Sequence, residues 1–246
     1  MTIRLAERDL GAVLLDIEGT TTPIAFVHDV LFPYARARAA AYLTAHRGTP
    51  DDEEIRRRLA AEHAEDVRNG QLPPSLRTDD AAHGLVPYIE WLMDRDRKSP
   101  GLKLLQGLIW EEGYQAGELR GQVYPDVPAA IRRWRELGLD VAIYSSGSVL
   151  AQRRLFESTP AGDLTPLFTA FFDTAVGPKV AASSYARIAA ALRRSPAGIV
   201  FVSDITRELA AAREAGLQVL LSLRPGNAAQ PDADAYEQVT TFDQIT

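Results

Sequence analysis

Ala12-Val-Leu-Leu-Asp-Ile-Glu-Gly-Thr-Thr-Thr-Pro23 is the stretch that decides the fold. Its first four residues are apolar on consecutive positions, without the alternation of a half-solvated strand. Such a run fits a parallel strand covered by helices on both faces. Val141–Tyr144, Ile199–Val202 and Leu217–Leu221 repeat the pattern, and Phe171–Phe172 marks a shorter strand. Between these runs the spacing becomes helical. Val127, Ile131 and Trp134 fall at i, i+4, i+7, and Tyr185, Ile188, Ala189 and Leu192 at i, i+3, i+4, i+7. Each helix leads into a strand. Repeating units of this kind predict an α/β fold with a doubly wound, Rossmann-like parallel sheet.

Residues 26–118 interrupt that rhythm. Val27, Val30, Leu31 and Tyr34 form one helical stripe, and Leu85, Tyr88, Ile89, Leu92 and Met93 another. Ile55 with Leu59, and Leu102 with Leu105 and Ile109, suggest two more. Gly48-Thr-Pro and Gly70-Gln-Leu-Pro-Pro separate the helices. The expected organisation is a core of residues 1–25 and 119–246, with an all-helical cap inserted at 26–118. The insertion follows the carboxyl end of the first strand, where open α/β sheets bind their ligands.

Composition narrows the function classes. The 246 residues are 46% hydrophobic and 24% charged, as in ordinary globular proteins. The net charge of −6 argues against nucleic acid as a partner. There is no cysteine, which excludes disulfides, thiolate metal sites and a cysteine nucleophile. The charged amino terminus does not read as a signal peptide. No apolar run approaches the ~18 residues of a membrane span. A soluble, cytoplasmic, monomeric protein with no membrane partner is expected. His28, His46, His63 and His83 show no zinc-binding spacing. Arg56-Arg-Arg58 reads as a solvated helix face.

The chemistry gathers at strand ends. Asp16 and Glu18 stand where the first strand runs out. Such a pair can hold a hard cation such as Mg²⁺, divide into nucleophile and acid/base, or simply be a solvated turn. Ser145-Ser-Gly-Ser148 ends the second long strand and opens a helix. Its hydroxyls and N–H groups suit a phosphate, or they cap the helix. Lys179, in a Gly-Pro loop, is the only lysine after Lys103 and offers a compact charge for phosphate. Asp204 ends a third long strand and can complete a metal site with Asp16. Thr206 and Glu208 read as the cap and first-turn acid of the next helix. No Gly-x-Ser-x-Gly, P-loop or dinucleotide glycine motif is present.

In this order, an Asp-x-acid strand end, a serine, a lysine and a further Asp resemble the haloacid dehalogenase-like superfamily. The resemblance implies a metal-binding nucleophile at Asp16, phosphate contacts at Ser145, Ser146 and Lys179, and a metal ligand at Asp204. It also implies that the residue at position 18 meets Mg²⁺ through its main-chain carbonyl. Glu18, where most members carry Asp, narrows the likeness to the bifunctional enolase-phosphatases of methionine salvage, the acireductone synthases. Asp94-Arg-Asp-Arg-Lys98, Glu112-Gly-Tyr-Gln-Ala-Gly-Glu-Leu119, Gly177-Pro-Lys-Val180, Asp204-Ile-Thr-Arg-Glu208 and Arg224-Pro-Gly-Asn227 agree with them. By this resemblance the substrate is 2,3-diketo-5-methylthiopentyl-1-phosphate, enolised and then dephosphorylated with one Mg²⁺ per chain. Asp16, Glu18 and Lys179 are then the catalytic residues. A phosphatase for another small phosphorylated metabolite would share the same core motifs.

Overall fold

The structure, a computed structural model, describes residues 3, 9–77, 84–95, 97 and 99–246. His83, Asp96 and Lys98, named above, lie outside the described residues, as does most of the amino terminus. The chain divides into two compact units, residues 1–27 with 120–246, and residues 28–119.

Strand β1 (Ala12–Leu15) is buried at every position. After the Asp16–Pro23 loop come a short helix α1 (Ile24–Phe26), five residues of π-helix (Val27–Leu31) and α2 (Phe32–Ala45). The π turn corrects the expected stripe. Its wider turn shifts the phase, so the buried residues are Phe26 and Leu31, five apart, then Ala35, Ala39 and Tyr42. Val27, Val30 and Tyr34 are only partly buried.

The helical unit continues with α3 (Pro50–Arg68), α4 (Val86–Met93) and α5 (Pro100–Gln115). Thr49 caps α3 by accepting from the Asp52 N–H, and Ser99 caps α5 by accepting from that of Leu102. Ile55 and Leu59 of α3 and Leu102, Leu105 and Ile109 of α5 are buried where these helices pack together. The arginine run is not wholly solvated. The Arg56 guanidinium pairs at 2.9 Å with the buried Asp52, one turn earlier.

The other unit resumes with α6 (Val127–Glu136), β2 (Asp140–Tyr144), α7 (Val149–Glu157), β3 (Ala170–Phe172) and α8 (Ala182–Leu192). It ends with β4 (Ile199–Ser203), α9 (Thr206–Glu214), β5 (Gln218–Ser222) and β6 (Gln238–Val239). The strands form one sheet in the order β3-β2-β1-β4-β5-β6, each pairing parallel. Leu14, Tyr144 and Phe201 pack with Tyr185, Ile188 and Leu209 in one core cluster. Val13, Leu15, Ile143 and Val202, pointing the other way, are also buried, so helices and loops cover both faces. The order of strands reverses at β1. Its carboxyl end therefore lies at the switch point, where such sheets form a crevice.

Candidate active site

Leu15 pairs in register with Ile143 of β2 and Val202 of β4. The residues that follow these partners in each strand therefore emerge beside Asp16. The Asp16 carboxylate is 4% exposed and accepts the Ile17 N–H on Oδ1 at 2.8 Å. Lys179, from the loop after β3, donates to the same Oδ1 at 2.6 Å. Its ammonium also lies 2.6 Å from Glu208 Oε2 in the first turn of α9. Ser203 links the group by donating to Glu208 at 3.0 Å, while its oxygen accepts the Ile205 N–H. Ser203 Oγ also lies 3.5 Å from Asp16 Oδ2.

The lysine loop is fixed by three hydroxyls. Tyr144 donates to Gly177 O, Ser184 to Pro178 O and Tyr185 to Lys179 O, at 2.9, 2.8 and 2.7 Å. Burial alone would lower the lysine's pKa. Asp16 and Glu208 outweigh it, and the net shift is upward, so the ammonium stays charged. Glu208 had read as a first-turn helix acid only. Its partner sits 29 positions earlier, so no local spacing announces the pair. Thr206 is not the cap of α9; Ile205 takes that position, with no side-chain cap.

Asp204 is 5% exposed, and its carboxylate lies against Gly19. Gly19 has φ +66°, and any Cβ there would collide with Asp204 Oδ2. Burial, then the charge of Asp16, pushes the Asp204 carboxyl up to about 7. Asp16 and Glu208 thus pair with one ammonium while the buried Asp204 stands near Asp16, an excess of carboxylate that a divalent cation would neutralise. Among the described residues no three His, Cys, Asp or Glu side chains converge as a metal centre.

The remaining candidates stand around this cluster. Glu18 lies half-buried in the loop closed by the Glu18–Thr22 bridge. Ser145 directly follows β2, and its Oγ accepts the Gly147 N–H at 3.3 Å. Ser146 is exposed, and Ser148 is the N-cap of α7. Segment 222–227 braces the β1 loop. Arg224 Nε donates to Thr20 O at 3.2 Å and pairs with Asp126 at 2.8 Å, while Asn227 holds Gly19 O.

Lys179→Ala leaves Asp16 and Glu208 buried without their shared cation. Breaking such a pair costs ~3–5 kcal/mol, so unfolding at clearly lower denaturant is expected. If the same ammonium also meets a substrate's phosphoryl group, its loss should lower catalytic efficiency by roughly 10- to 150-fold. A change below threefold in efficiency would mean that Lys179 serves the fold alone.

A buried Asp–Lys pair and a second buried Asp thus stand together at the switch point of the sheet, where such folds bind their ligands. Residues 10–216 match the family model for haloacid dehalogenase-like hydrolases, and the chain belongs to that family. Within it, the chain is 50% identical over 236 residues to the enolase-phosphatase E1 of Synechococcus elongatus, covering 96% of this chain and 98% of that one. It resembles the crystal structure of the Unknown transcript 4 protein of Saccharomyces cerevisiae, with a TM-score of 0.75 and 34% identity over 96% of this chain and all of that one. A Populus trichocarpa relative, 44% identical over 95% of this chain, is a probable bifunctional methylthioribulose-1-phosphate dehydratase/enolase-phosphatase E1. This chain spans 46% of that longer protein. Among the described residues, no helix is long and apolar enough to cross a membrane.

Proposed function

We propose that the chain enolises 2,3-diketo-5-methylthiopentyl-1-phosphate and then removes its phosphate, giving the acireductone 1,2-dihydroxy-3-keto-5-methylthiopentene. The observation that carries this reading is the buried Asp16–Lys179–Glu208 cluster beside Asp204, in a chain half identical to an enolase-phosphatase. The fused dehydratase of the Populus relative supports the substrate. Removing water from a methylthioribulose phosphate leaves a methylthio diketone phosphate.

The first step takes a proton from C1, next to the C2 carbonyl, and returns one to the carbonyl oxygen. The Glu18 carboxylate is the proposed carrier, since a positioned carboxylate can move such a proton. The second step transfers the phosphoryl group from the C1 oxygen to Asp16: the bond between phosphorus and that oxygen breaks, the oxygen leaves with a proton as the acireductone hydroxyl, and water then cleaves the aspartyl phosphate to phosphate and free Asp16. Lys179 and the Ile17 N–H occupy Oδ1, so Oδ2 is the oxygen left to attack. Lys179, Ser145 and Ser146 would hold the phosphoryl oxygens, with N–H groups at the start of α7 beside them. Asp16, Asp204 and the main-chain carbonyl of Glu18 would hold Mg²⁺. The cation would neutralise phosphate charge and polarise the diketone.

Chelation tests the metal. With the diketone phosphate as substrate, excess chelator is expected to abolish phosphate release and added Mg²⁺ to restore it. Full release in chelator would remove the cation from the reaction. In direct Mg²⁺ titrations, Asp204→Asn should bind far more weakly than the parent; equal affinity would remove Asp204 from the site.

A further inference from the structure

The Gly19 carbonyl is gripped by a side chain 208 positions away. Asn227 Nδ2 donates to Gly19 O at 2.9 Å and to Ser222 O at 3.2 Å. Two carbonyl acceptors fix the orientation of the carboxamide, because a flipped amide would set its oxygen against both. Oδ1 therefore faces the other way. It is buried, and among the described residues no group donates to it. A Cβ on Gly19 would lie 2.9 Å from this oxygen and would collide with Asp204 Oδ2. Asn227 Oδ1 and Asp204 Oδ2 thus border one point beside the β1 loop. A buried acceptor without a donor costs stability. One beside a carboxylate costs more, unless a cation or its waters lie between them.

We infer that Asn227 is a positioning residue of the cation site: Nδ2 sets the Gly19 peptide, and Oδ1 serves the hydration shell of the divalent cation beside Asp204. This rests on the metal-dependent reading above. It adds a role for a residue beyond the Asp16, Glu18 and Asp204 set.

Ser222 supplies the control. Its hydroxyl donates to the same Gly19 O at 3.3 Å but offers no oxygen at that point beside Asp204. The experiment titrates Mg²⁺ alone into each full-length protein by calorimetry and records metal-free melting temperatures in chelator. Asn227→Ala should weaken Mg²⁺ binding roughly 10-fold, the scale of one lost hydrogen bond, and Ser222→Ala less than twofold. Asn227→Asp keeps the oxygen and loses the Nδ2 donor. It should recover Mg²⁺ affinity while its metal-free melting temperature stays low. A purely structural brace would leave Asn227→Asp no better than Asn227→Ala, and that result overturns the inference. So does equal Mg²⁺ affinity in the parent and Asn227→Ala. If Asn227→Ala does not fold, Asn227→Asp decides alone: affinity at or above the parent's supports the role, and a 10-fold loss refutes it. A parent protein that takes up no Mg²⁺ would refute the metal reading itself, and this inference with it.

Discussion

Asp16→Asn is expected to lower phosphate release by ~10⁴- to 10⁶-fold, the scale of losing a nucleophile that acts within a preorganised set. The substitution keeps the size of the side chain. It removes the anionic oxygen left free of Lys179 and the Ile17 N–H, and with it the attack on phosphorus. It also leaves Lys179 with one carboxylate, Glu208, in place of two. The enolisation step should suffer less, because in this account Asp16 touches it only through the cation. Single-turnover assays that follow enol absorbance and free phosphate would separate the two effects. A residual phosphate rate within about tenfold of the parent would mean that water attacks phosphorus directly, with Asp16 as a bystander.

The second large effect belongs to Glu18. Glu18→Gln preserves the side-chain size and the main-chain carbonyl but removes the ionisable group. Turnover should fall ~10²- to 10⁴-fold, the range of a lost general acid or base. Mg²⁺ affinity should stay nearly unchanged, because the carbonyl and not the carboxylate meets the cation in this account. Glu18→Asp keeps the charge but withdraws it by one methylene, and an intermediate loss is expected. Calorimetric titration with Mg²⁺ distinguishes the roles. If Glu18→Gln loses Mg²⁺ as fully as Asp204→Asn does, the carboxylate is itself a ligand and the proton carrier lies elsewhere.

The parts legible in the sequence were those whose signal is local. Ala12–Leu15 and Ile199–Val202 are apolar without alternation, and in a chain of alternating helices and strands that pattern is nearly diagnostic. Asp16 and Asp204 stood out because each carboxylate directly follows or nearly follows such a run. Lys179 stood out as a rare lysine in an arginine-rich chain. Strand β6 carries no strand signal in the sequence because it is two residues long and begins with an exposed glutamine. The π turn at Val27–Leu31 leaves no residue signature, so α-helical spacing misplaces the buried stripe there. Glu208 was visible as a helix-start acid, yet its pairing with Lys179 depends on how β3 and β4 flank β2 and β1. Asn227 and Arg224 reach the β1 loop only because β5 lies beside β4 in the sheet. Contacts across some two hundred positions are a product of topology, and no window along the chain contains them.

One site performing two steps in a fixed order is tested most directly by a single turnover with enzyme in excess. The diketone phosphate is mixed with the Mg²⁺-loaded parent protein, and enol absorbance and inorganic phosphate are recorded on the same sample. The enol signal should rise first, and phosphate should follow with a lag set by the decay of the enol phosphate. With Asp16→Asn the enol should persist and phosphate should stay near zero. Phosphate appearing without a lag and without a preceding enol signal would make the chain a simple phosphatase and contradict the account.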